Sequence, residues 1–166
     1  KSAGRGGEKM DDAKLREQLV STLGGHGAHM SFDQAVKGFP RDLIGKRVPN
    51  LAHTAWQLVF HIWIAQWDIL DFVTNPSYES RPWPEAYWPA EDAPRPLSAW
   101  EETLGKIKAD LKAVMDLVRD AGNDLFAPIP HGQGQTLLRE ALLVIDHTSY
   151  HVGQLVDLRR LLGISP

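Results

Sequence analysis

Residues 54–73, TAWQLVFHIWIAQWDILDFV, place apolar side chains over most of the circumference of a helix. A helix of that kind is stable only when other elements surround it, so the rest of the chain must supply partners of a matching kind. Thr54, followed three residues later by Gln57, opens the helix as a capping box, in which each side chain satisfies an orphaned backbone N–H. Asn75-Pro76 closes it, because the residue before proline is driven out of the helical region. Two more capping boxes, Ser31/Gln34 and Ser98/Glu101, predict a short helix in SFDQAVKGF and a long one over 99–122. The latter carries the apolar stripe Trp100, Leu104, Ile107, Leu111, Val114, Met115 and Val118. Leu15, Leu19 and Val20 give 11–23 helical spacing, with acids at its start and GGHG at its end. A last helix is expected from about Thr136 to Leu162, with Gly163 just past its end. No stretch alternates as a strand does. Four long helices and one short one predict an all-α, four-helix bundle.

The segment 76–96, PSYESRPWPEAYWPAEDAPRP, interrupts this pattern with six of the chain's eleven prolines and four aromatics. It cannot be helical, and loops of that length usually carry function or are disordered; the aromatics argue against disorder. Trp83, Tyr87 and Trp88 are candidates to wall a pocket, or equally to hold the loop against the bundle. Trp56, Trp63 and Trp67 are expected in the core.

With 166 residues, 43% of them apolar and 23% charged, the chain suits one domain, placed at 10–166. Residues 1–9 are polar and glycine-rich and read as a disordered tail or a cloning remnant. The net charge of −3 and the lack of a Lys/Arg block argue against nucleic acid as a partner. No apolar run is long enough for a membrane span, and no secretory leader is visible, so a cytoplasmic location is expected. With no cysteine, disulfides, thiolate metal sites and a cysteine nucleophile are all excluded.

DHTSYHVGQL (146–155) puts His147 and His151 four apart, on one face of the last helix. The pair is either half a metal site or ordinary polar packing. Both residues flank an apolar seam through Leu138, Ala141, Ile145, Thr148, Val152 and Leu155, where uncompensated imidazoles are costly. His61, between Phe60 and Ile62, is too deep in an apolar helix to be solvated. It is either a core histidine bonded to a carbonyl or the third ligand. Three neutral nitrogen ligands would leave a coordination position open, as in catalytic sites. His53 and His131 are rival ligands or pocket residues, and Glu140 and Tyr150 are further pocket candidates; His26 and His29 lie in the glycine-rich turn and read as ordinary polar residues. No H-E-x-x-H motif supplies a general base beside the pair.

WQLVFHI, DHTSYHVGQL and the trailing RRLLG resemble the DinB-like (YfiT-type) metal-binding superfamily, over about Leu15 to Gly163. Its motif, a His in the second helix and H-x-x-x-H-x-G-Q in the last, falls here on His61, His147, His151, Gly153 and Gln154. The resemblance implies an up-down-down-up four-helix bundle, with one divalent metal per chain (zinc or nickel) and homodimers. It also implies either thiol S-transfer, with a low-molecular-weight thiol as cosubstrate and a small-molecule electrophile, or metal-dependent hydrolysis. A metal or ligand site without turnover is the remaining alternative.

Overall fold

A computed structural model describes residues 5–164, with side chains from Asp12 onward. Five helices follow in order: α1 (Arg5–Leu23), α2 (Phe32–Val36), α3 (Ala55–Thr74), α4 (Ala99–Arg119) and α5 (Leu137–Leu161). Among the described residues there is no strand, and an isolated antiparallel bridge joins Pro128 to Thr136. α1 is traced from Arg5, ahead of the start at Asp11 expected from sequence; of the tail expected at 1–9, residues 1–4 lie outside the described residues.

The caps explain most of the helix starts. Both bonds of the Ser31/Gln34 box and both of the Thr54/Gln57 box are formed. Thr136 caps α5 through Arg139 N–H, and Gly163 takes a φ of 72° just past its end. The expected Ser98/Glu101 box is not formed. Ser98 is itself in the helical region and makes no side-chain cap bond. The turn before it already serves the first donors of α4: Ala99 N–H donates to Pro96 O and Trp100 N–H to Leu97 O. With Ser98 itself helical, its hydroxyl makes no bond to the Glu101 N–H that a capping box would serve.

α3 touches both α4 and α5, α1 also touches both, and α4 touches α5; α2 lies against α5. One buried cluster joins Ile44, Val59, Ile62, Trp100, Leu155 and Leu158, and a second joins Leu19, Val114, Val118, Leu125 and Val144. The burial expected of α3 holds for most of its first half; residues 67–73 are half-buried and Thr74 is exposed. Trp63 and Trp67, expected in the core, are half-buried and faced by cations, Lys106 Nζ and Arg81 Cζ each 4.4 Å from a ring centroid.

Residues 75–98, between α3 and α4, contain no regular helix or strand and are tied to the chain around the start of α3. Arg47 forks onto Asp92 at 2.9 and 2.6 Å, Thr54 Oγ1 donates to Asp92 O at 2.7 Å, and Gln57 Nε2 reaches Pro89 O at 3.4 Å. The loop passes so close to Gly45 that a Cβ there would collide with Ala93. No helix among the described residues is long and apolar enough to cross a membrane.

Candidate metal centre

α3 and α5 bring His61, His147 and His151 together, with one ring nitrogen from each lying within 4.8 Å of the others. His61 Nε2 and His147 Nε2 are 2.9 Å apart. Tetrahedral metal sites with bonds of about 2.1 Å hold their donors roughly 3.4 Å apart, so side-chain adjustments of about an ångström would seat an ion. The loop and a neighbouring helical turn prepare two of the nitrogens. Tyr87 O lies 3.1 Å from His61 Nδ1, and a carbonyl can only accept, so the proton is on Nδ1 and Nε2 is bare. Gln154 Oε1, at 2.6 Å, fixes the proton of His151 on Nδ1 in the same way. Metal-ligating histidines are oriented by bonds of this kind, which set the tautomer.

The rings are held neutral. Burial pushes His61 down to about 3, with the neighbouring histidines adding to the effect and the bond to Tyr87 opposing it. Burial, helped by His151, pushes His147 down to about 4. His151 is lowered by burial against the bond to Gln154, and His53 by burial, with His151 and Arg47 adding. Neutral imidazoles are the form that binds a metal.

Trp88 stacks on His61, with centroids 3.8 Å apart and planes 9° from parallel, and stacks on His53 with its other face at 3.9 Å and 12°. The indole is sandwiched between the two imidazoles, so His53 lies behind Trp88 and outside the three-histidine group. Trp83 is 66% exposed with its ring 6.3 Å from His61, and Tyr150 is 66% exposed with its ring edge-on 5.0 Å from His151. Two other pocket candidates are held elsewhere. His131 donates to Phe72 O at 2.6 Å, and Phe72 is eleven residues past His61, roughly 16 Å along α3. Glu140 is buried and ion-paired to Arg139 at 2.6 Å, seven residues and about 10 Å along α5 from His147. Neither belongs to the three-histidine group.

Sequence reasoning missed Asp68. Its carboxylate accepts from Tyr87 Oη at 2.7 Å and from Tyr78 Oη at 3.2 Å, pinning the residue whose carbonyl holds His61. Burial, with Asp68 adding, pushes the Tyr78 hydroxyl up to about 12 and raises that of Tyr87 as well, so both stay protonated donors. A backbone carbonyl leaves no mark in a sequence, but Asp68, two turns after His61 in an apolar helix, was a signal that could have been followed.

The chain is therefore a helical protein with a cluster of three neutral histidines, two buried and His147 half-buried, at the junction of two helices and a tryptophan-bearing loop. Residues 25–155, which include all three, match the model of the DinB superfamily, and the chain belongs to that superfamily. No curated protein and no solved structure matches it.

Proposed function

We propose that the protein binds one divalent metal ion, zinc or nickel, through His61, His147 and His151, and transfers a low-molecular-weight thiol to a small electrophile. The observation that carries the reading is the donor set. Three neutral nitrogens converge with no carboxylate in the group, and two have their lone pairs directed by Tyr87 O and Gln154 Oε1. Three protein ligands leave room for an exogenous one. The ion, when bound, supplies acidification of a thiol to its nucleophilic thiolate form. The chain has no cysteine, so the thiol must come from outside. His61 and His151 orient, and Trp88 walls one face of His61 against water. Hydrolysis would call for a general base, and among the described residues no carboxylate joins the three-histidine group. In the same reading the four long helices form an up-down-down-up bundle that pairs as a homodimer.

The test is metal content by plasma mass spectrometry on untagged protein, followed by thiol titration of the cobalt-substituted form. The expected result is about one ion per chain, loss of stoichiometric retention in His61→Ala and His147→Ala, and a thiol-dependent charge-transfer band. Full occupancy in both variants would overturn the triad. Bound metal silent to every thiol tried would favour hydrolysis or a site without turnover.

A further inference from the structure

α5 carries the histidines on one side and, on another, helps line a cavity of about 110 Å³ that none of the three histidines reaches. Most of the wall is apolar, built from Phe32, Ile107, Leu111, Val144 and Val152. Polar side chains interrupt it, Gln66 and Ser149 among them. Gln66 is only 2% exposed, and its Nε2 is committed to Ile107 O at 2.8 Å, which leaves Oε1 with no protein donor among the described residues. Ser149 lies near the mouth. His29 Nδ1 donates to Met30 O at 2.8 Å, so His29 Nε2, 3.0 Å from Ser149 Oγ, can only accept the hydroxyl proton. The lone pairs of Ser149 Oγ remain available. Gln66 Oε1 and Ser149 Oγ are acceptors within the cavity, and the two charged side chains of its lining, Asp33 and Lys108, face each other at 3.4 Å.

We infer that this cavity is a second binding site, for a small apolar molecule, aromatic in its simplest form, that carries one neutral N–H or O–H donor. Gln66 Oε1 opens onto the cavity with no protein donor among the described residues, and a ligand that donates to it gains a hydrogen bond there. Water standing against the apolar part of the wall is poorly held, and displacing it with an apolar group gains affinity. A phenol- or indole-like molecule fills the apolar volume and donates to Gln66 Oε1 in the same act. The exposed His29 and the glycine-rich turn at 24–25 lie at the rim, so the cavity is reachable from solvent. Nothing in this site depends on whether the histidines hold a metal.

Phenol is the probe, with toluene as its donor-free counterpart. Both are titrated into the full chain with isotope-labelled methyl groups. Saturable shifts are expected at Ile107, Val144 and Val152, with a phenol dissociation constant on the order of 1 mM, as befits so small a ligand. Toluene should bind about tenfold more weakly, the usual worth of one hydrogen bond. Gln66→Met should bind the two alike with its metal content unchanged. Should that variant not fold, Val144→Phe, which fills the cavity and keeps Gln66, must abolish the shifts. Equal affinities in the unaltered chain, shifts confined to residues around Trp83 and Trp88, or no saturable shifts at all would each overturn the inference.

Discussion

The imidazole of His61 is held from three directions: Tyr87 O at Nδ1, the indole of Trp88 across its face, and His147 at 2.9 Å from Nε2. This confinement fixes both its tautomer and its charge. With His61 at about 3 and His147 at about 4, the folded metal-free protein binds fewer protons than the unfolded chain below the ordinary histidine value of about 6.5. Stability is then fully present above about pH 6.5 and falls as pH drops toward 4. Urea denaturation of metal-free protein at several pH values should show that slope, and a flat profile from pH 7.5 to 4.5 would contradict neutral buried rings. Gln154 offers a second check. Replacing it with Leu frees the His151 tautomer, and metal affinity should fall by roughly 10- to 100-fold with the helix content unchanged, as read by competition with a chelator. The His147/His151 pair and His61 were legible at this scale, because ligand spacing on a helix is a local property. Trp88 between His53 and His61 was not, because stacking joins residues from three separate segments.

Helix starts show where local signals suffice and where they do not. Thr54 and Ser98 have the same box pattern in sequence, yet only Thr54 caps, and it donates to Asp92 O as well. Thr54→Ala should therefore cost about 1–2 kcal/mol in chemical denaturation, whereas Ser98→Ala should stay within about 0.5 kcal/mol. Equal costs would mean that Ser98 caps in solution. The difference lies in the backbone: Thr54 is extended, with ψ 169°, whereas Ser98 is helical, with ψ −24°, and only the extended residue caps the third amide of its helix. Gly153 sits inside α5 with open space where a Cβ would go. Gly153→Ala should raise stability by roughly 0.5–1 kcal/mol, measured as a higher melting temperature; a loss instead would show that another surface covers the position, as homodimer formation through this face would.

Across the whole molecule, two buried arginines from distant parts of the chain hold backbone carbonyls together. Arg16 of α1 donates to Val118 O at 2.8 Å, Asp120 O at 3.0 Å and Asn123 O at 2.7 Å, covering the carbonyl-rich end of α4. Arg159 of α5 donates to Ala35 O and Lys37 O at the end of α2. Arg16→Met should lower unfolding free energy by about 2 kcal/mol or more while leaving metal content unchanged, because the histidines lie on other helices. Loss of metal with the same substitution would mean that α1 helps to shape the site.

The sequence by itself determined that the chain is helical, where most helices begin, and which histidines can share a face. Those properties follow from period, capping and spacing, which act over a few residues. Only the tertiary structure decided that the proline-rich loop supplies the carbonyl of Tyr87 and the face of Trp88 to His61, and that Asp68 pins that loop. It also set Glu140 and His131 away from the triad and left Gln66 facing a cavity. Those outcomes depend on which surfaces meet across long separations in the chain, and on backbone groups that every residue carries alike. No local pattern encodes either.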